Sequence, residues 1–152
     1  MSLINENETV QAAREAGQTV ATEEILRSVI SMQSFTRWTG LELIKAGGGE
    51  VETRLKLRKD DMTQHHGFLH GGLVSFLADN ASAYAAATVV GDVVTSQISL
   101  NFLAPGIGDA FVTRAKVIKA GKRQVNVRAD VYAINEGEEK PIAIAQAVIL
   151  PV

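Results

Sequence analysis

The chain has 152 residues, of which 46% are hydrophobic, 15 are Lys or Arg, 17 are Asp or Glu, three are His and none is Cys. That length closes one core and is short for two, so a single domain is expected. A formal net charge of -2 provides no broad field for nucleic acid or an anionic membrane, and the missing cysteines exclude disulfides, thiolate metal ligands and a cysteine nucleophile.

No segment reads as a membrane span. Met1 to Arg14 carry Asn and Glu where a secretory leader would be basic and then apolar, so the expectation is a soluble cytoplasmic protein. Residues 1–20 are polar and rich in Glu, Gln and Ala, which predicts a frayed helix or loose arm ahead of a domain over 21–152. From Thr22, a candidate cap, the residues Ile25, Leu26, Val29, Ile30 and Met32 recur at helical spacing. That helix should lie on a sheet. Leu41 to Lys45, the Gly47-Gly48-Gly49 turn and alternating Val51, Thr53, Leu55 and Leu57 read as a hairpin with one buried face.

Arg58 to Leu69 reads as a polar connection, and Gly71 to about Thr88 as a helix apolar on all sides, hence buried. Four strand-like runs follow, over Val93 to Leu103, Ala110 to Lys119, Gln124 to Ala133 and Ile142 to Leu150. Ile98, Leu100 and Phe102 alternate with Gln97, Ser99 and Asn101, the two-residue period of antiparallel sheet. With turns at Pro105 to Gly108, Ala120 to Lys122 and Asn135 to Gly137, the predicted order is strand, strand, buried helix, then a four-strand meander.

Asp79 stands in that greasy helix with no Lys or Arg within a turn. An ionised carboxylate there costs several kcal/mol unless it is hydrogen-bonded, which makes Asp79 a candidate general base or nucleophile; it could instead face a solvated notch or bond a backbone amide. His70-Gly71-Gly72 opens the helix. The free amides at a helix start suit an oxyanion, and glycine lets a ligand come close; alternatively the glycines serve only a tight turn. Eight positions separate Gly71 from Asp79, about 12 Å along one helix axis. A reacting centre must lie within about 3 Å of both groups. If both act, they come from two antiparallel copies of the helix, which predicts a two-fold dimer with shared sites.

The stretch Gln64-His65-His66-Gly67-Phe68-Leu69-His70-Gly71-Gly72, followed by Leu77-Ala78-Asp79-Asn80, resembles the signature of hotdog-fold acyl-CoA thioesterases of the phenylacetate-degradation and hydroxybenzoyl-CoA type. The likeness runs from about Thr39 to Val152, includes Asn101-Phe102-Leu103-Ala104-Pro105, and leaves out the first 35 or so residues. It implies an α+β hotdog fold, a long central helix wrapped by a curved antiparallel sheet, in dimers that pair again as tetramers. It also implies hydrolysis of a small aryl- or medium-chain acyl-CoA, with no cofactor beyond the CoA of the substrate. Asp79 would be nucleophile or base, and the Gly71 N–H would polarise the thioester carbonyl. Gln64 would lie near that carbonyl, and a hydroxyl from Thr95 would steady the water or the acid. His70 would orient the loop at the helix start, with Gly72 and Asn80 beside the substrate.

For Gln64 the alternative is a loop amide bonding backbone, and for Thr95 an ordinary strand residue. Where some relatives carry a hydroxyl four residues after the acid, this chain has Ala83, and Ser82 points elsewhere on a helix. Lys119, Lys122 and Arg123 cluster at a turn where the family meets CoA, with Arg128 of similar standing; the alternative is a solvated hairpin end. His65, His66 and His70 lack a ligand-spaced carboxylate or Cys, so no metal is expected. Phe35, Trp38, Met62, Phe68 and Tyr84 are candidates for the acyl pocket. The rival readings are a hotdog acyl-thioester dehydratase or hydratase, with His70 in an acid/base pair, and a non-catalytic acyl-CoA sensor.

Overall fold

A computed structural model describes residues 20–152; the expected N-terminal arm lies outside the described residues, apart from Val20. Helix α1 (Glu23–Met32) begins where anticipated. The Ile25 N–H donates to Thr22 Oγ1 at 3.2 Å, and Glu23 and Glu24 complement the positive end of the helix. Arg27 Nη1 donates to the Leu43 carbonyl at 2.7 Å, and Glu23 Oε1 accepts from the Ala46 N–H at 3.0 Å, so α1 is laced to strand β1 (Glu42–Gly47). Helix α2 (Ser34–Thr39) has no apolar period to announce it and is stopped by Gly40, whose φ is 72°.

Strand β2 (Glu50–Lys56) completes the first hairpin. The 58–69 connection is less loop-like than predicted: it holds a short helix α3 (Lys59–Met62), whose Met62 is buried, and a Thr63–Leu69 bridge that closes residues 64–68 into a compact loop. Helix α4 (Gly71–Val90) is followed by β3 (Val93–Phe102), β4 (Ala110–Ala120), β5 (Val125–Asn135) and β6 (Glu138–Pro151). The six strands form one sheet in the order β1-β2-β4-β5-β6-β3 with every neighbour antiparallel.

The four-strand meander therefore holds only for β4 to β6. β3 pairs with β6 at the far edge and not with β4. Alternation fixes which residues face inward and carries no information on which strand is the neighbour. The stretch 103–109 is correspondingly a crossing rather than a hairpin turn: Leu103 N–H donates to the Ile142 carbonyl at 2.8 Å, Gly106 O accepts from Leu69 N–H at 2.9 Å, and Asp109 N–H donates to Ile134 O at 2.9 Å.

α4 contacts all six strands, the arrangement of the hotdog fold. Ala78, Ala81, Ala85 and Ala86 are buried among Val51, Leu55, Phe111, Val127, Val131, Ile142 and Ile149, and their small side chains let the sheet close on the helix. By length and composition alone α4 could cross a bilayer, contrary to the sequence reading; in the fold 72% of its most apolar window is buried. It is not buried all round. Gly72, Ser75, Phe76, Asp79, Asn80 and Ala83 form one partly open stripe at i, i+3, i+4, i+7, i+8 and i+11.

Candidate active site

Asp79 lies on that open stripe. Thr95 Oγ1 donates to Asp79 Oδ1 at 2.6 Å, and Oδ2 bonds none of the described residues. A β-bulge makes this contact possible. Ile98 and Leu100 of β3 face the core, and simple alternation would turn Thr95, three residues before Ile98, to the opposite face. The pairing shifts between Thr95–Ile149 and Gln97–Val148, so Ser96 is an extra residue and Thr95 is re-aimed at the helix.

The helix start is equally specific. His70 is the N-cap, and its Nδ1 accepts the Gly72 N–H at 2.8 Å, which leaves the ring proton on Nε2. Leu73 and Val74 N–H both donate to the His70 carbonyl. The Gly71 N–H bonds no group of the described residues; as the first amide of the helix it has no partner within it. The Phe102 ring lies beside it, 3.4 Å from where a Cβ on Gly71 would stand.

In the single chain the Gln64 side chain is turned to its own loop. Oε1 accepts from the His66 N–H and Nε2 meets His66 Nδ1 at 3.3 Å, the backbone-bonding alternative raised by the sequence. The His65 and His66 rings are 4.0 Å apart and His66 stacks on Phe68. Asn80 Nδ2 is sealed from solvent and has no hydrogen-bond partner among the described residues.

A model of the thioesterase superfamily matches residues 66–140. A Saccharolobus solfataricus protein described as an esterase is 33% identical over 110 residues, covering 70% of this chain and 72% of that protein. The chain belongs to the thioesterase superfamily. Human acyl-coenzyme A thioesterase 13 is 29% identical over 108 residues, 68% of this chain and 76% of its own. Among solved structures, the phenylacetic acid degradation protein PaaI of Thermus thermophilus superposes with a TM-score of 0.70 at 27% identity, covering 79% of this chain and all of that one.

As a thioester hydrolase the protein must bind its leaving group as well as its acyl group. Lys119, Lys122 and Arg123 line a depression of about 420 Å³ with Gly121, Gln124 and Asn126. Val125 pairs with Ile149 and Ile149 with Thr95, so in this thioesterase the first residue of β5 after the basic turn lies two strand spacings, about 10 Å, from Thr95. Arg128 is engaged differently, donating to Asp130 at 3.1 Å.

Sequence reasoning missed a polar knot around Tyr84. The Tyr84 hydroxyl donates to Gln33 Oε1 at 2.8 Å, and Thr36 Oγ1 donates to the same oxygen at 3.0 Å. Burial pushes the Tyr84 phenol above its ordinary 10.0, with the Asn80 and Thr36 side chains working in the opposite direction. The knot ties the α1–α2 junction to the central helix α4, and no sequence period marks such a junction.

Proposed function

We propose that this thioesterase hydrolyses a small aryl- or medium-chain acyl-CoA to the free acid and CoA at two sites shared across a two-fold dimer, with Asp79 as nucleophile or general base. The observation that carries the reading is the Thr95–Asp79 hydrogen bond, which fixes one carboxylate oxygen and leaves the other without a bond among the described residues, on the partly open stripe of α4. As base, Asp79 takes a proton from water while the water oxygen attacks the carbonyl; as nucleophile, it forms an anhydride that water then opens. In both routes the C–S bond breaks and CoA leaves as the thiolate. The Gly71 N–H of the opposing helix holds the oxyanion, worth about 3 kcal/mol for one such donor.

The edge strand supports the dimer. β3 presents ten residues of unpaired edge, with Val94, Phe102 and Leu103 more than half exposed. Along this strand Thr95 touches Asp79 and Phe102 touches Gly71. Two copies pairing antiparallel through β3, with the axis near its middle, bring the Thr95 end of one beside the Phe102 end of the other. Each Asp79 then faces the Gly71 amide of the second copy, and the 12 Å separation within one chain ceases to matter. Lys122 and Arg123 receive CoA phosphates, Gly72 and Asn80 border the substrate, Gln64 swings to the carbonyl, and His70 holds the helix start. Dimers pair again as tetramers, in the cytoplasm.

Mixing two dead variants tests the shared site. Gly71→Ala and Asp79→Asn homodimers each keep about a hundredth of the wild-type rate or less in a thiol-release assay, but after subunit exchange half the dimers are mixed and each has one intact site. Activity returning to about a quarter of wild type supports the reading; no recovery despite demonstrated exchange overturns it.

A further inference from the structure

The amides that follow Gly71 in α4 are taken. Gly72 N–H donates to His70 Nδ1 at 2.8 Å, and those of Leu73 and Val74 donate to the His70 carbonyl at 2.9 and 3.2 Å. The Gly71 N–H is left over, and what lies beside it is apolar. Chain neighbours and the helix's own backbone apart, only Phe102 among the described residues comes within 4 Å of where a Gly71 Cβ would stand, through ring atoms Cζ at 3.4 Å and Cε1 at 3.5 Å. That position is about 2.5 Å from the Gly71 nitrogen by covalent geometry, so the ring tip runs alongside the free amide. The backbone behind the ring is fixed. Phe102, the last residue of β3, pairs with Ala143, and the next N–H, of Leu103, donates to the Ile142 carbonyl at 2.8 Å. Alternation turns Phe102 to the same side of the strand as Ile98 and Leu100, toward α4. It is nevertheless no core residue: Phe102 is 58% exposed, so the fold of one chain gains little from its size.

We propose that Phe102 is a positioning residue for thioester hydrolysis: its ring covers one side of the Gly71 amide, keeps water from crowding the N–H, and leaves that donor to the thioester carbonyl. This rests on the Gly71 amide as the oxyanion donor. A free N–H in bulk water is already hydrogen-bonded, and a carbonyl that replaces the water gains only the difference between two similar bonds. An apolar ring against the amide removes part of that competition and lowers the local dielectric. The hydrogen bond then strengthens most where charge gathers on the oxygen, in the transition state, so the effect falls on kcat and not on KM. Because the contact is made by the far end of the ring, reach decides who can replace it. A valine ends short of Gly71, whereas a methionine spans about the distance of the ring tip. In the antiparallel β3 pairing described above, the same ring stands beside Thr95 of the second copy, so one side chain borders both halves of the shared site.

Two variants that differ in reach test this. Phe102→Val keeps a good strand residue and withdraws the ring tip, and Phe102→Met restores the reach. Solvent exchange of the Gly71 amide proton, followed by NMR at one pH and temperature, reads the shield without turnover; kcat and KM for hexanoyl-CoA read its consequence. In Phe102→Val the Gly71 proton is expected to exchange about fivefold faster, and kcat to fall about tenfold with KM within about twofold. Phe102→Met recovers most of both, and the melting temperature and sedimentation coefficient of the two variants match those of wild type. Wild-type exchange and kcat in Phe102→Val overturn the shield. So does a loss of activity that follows dissociation of the dimer while Gly71 exchange stays at the wild-type rate, which makes Phe102 a subunit contact only. Faster exchange in Phe102→Val, in a protein whose Gly71→Ala variant hydrolyses hexanoyl-CoA at the full rate, keeps the ring on the amide and removes the oxyanion reading. Unchanged exchange beside an impaired Gly71→Ala variant does the reverse.

Discussion

Thr95 Oγ1 donates to Asp79 Oδ1 at 2.6 Å, and this one bond joins the free edge strand to the acid on the central helix. A hydroxyl spent this way sets the carboxylate rotamer and leaves Oδ2 without a bond among the described residues. Thr95→Val keeps the shape and removes the donor. It is expected to lower kcat by about ten- to a hundredfold with little change in KM, while Thr95→Ser recovers most of the loss. Steady-state thiol release decides this, and equal rates for wild type and Thr95→Val would remove Thr95 from the site.

Gly71 offers a separation of function from folding. Its φ is not in the left-handed region, and a Cβ there would meet only the Phe102 ring at 3.4 Å, an ordinary contact. Gly71→Ala should therefore leave the melting temperature unchanged or raise it slightly, by the equivalent of about 0.5 kcal/mol. The added methyl stands beside the free amide, so a carbonyl can no longer approach and kcat/KM falls by about a hundredfold. Calorimetry and kinetics on the same preparation check both halves.

The strands, the long helix and the acid were legible because each rests on a period or a composition: two-residue alternation in β2 and β5, an unbroken apolar run in α4, one carboxylate within that run. Three features were not. The pairing of β3 with β6 follows from where the 103–109 crossing lies, and alternation is the same whichever neighbour a strand takes. Ser96 breaks the register without any change in residue type, so the orientation of Thr95 came only from resemblance. Helix α2 has six residues and two exposed aromatics, a pattern that resembles loop until Arg58 and Tyr84 are seen to hold it.

The crossing itself contains a position where only glycine fits. A Cβ on Gly108 would stand 2.5 Å from the Ile134 carbonyl oxygen and 3.1 Å from its carbon, both backbone atoms of β5 that cannot rotate away. The same carbonyl accepts the Asp109 N–H at 2.9 Å, so relief of the clash breaks the bond that starts β4. Gly108→Ala is expected to cost about 2 kcal/mol or more, read as a lowered urea midpoint with an unchanged slope. The Gly137→Ala change is a useful comparison: its Cβ meets nothing within 4 Å, and only its φ of 79° opposes the substitution, so about 1 kcal/mol is expected.

On the outer face of the sheet, Arg114 donates to both carboxylate oxygens of Glu139, at 2.8 and 2.6 Å, and lies 5.1 Å from the Tyr132 ring centroid. The hydrogen bond from Arg114 is the main reason the Glu139 carboxyl is held below its ordinary 4.5, with burial acting against it. A carboxyl lowered in the folded state binds protons more readily when unfolded. Its stabilisation is present above the unfolded pKa and disappears as pH falls from there through the lower folded value. Both side chains are about 40% exposed, so solvent screens the pair and its contribution stays under about 1 kcal/mol. The melting temperatures of wild type and Glu139→Gln should differ slightly at pH 7, converge as the pH is lowered below the ordinary carboxylate range, and converge also in high salt. A gap that widens on acidification would show that the pair has the opposite sign.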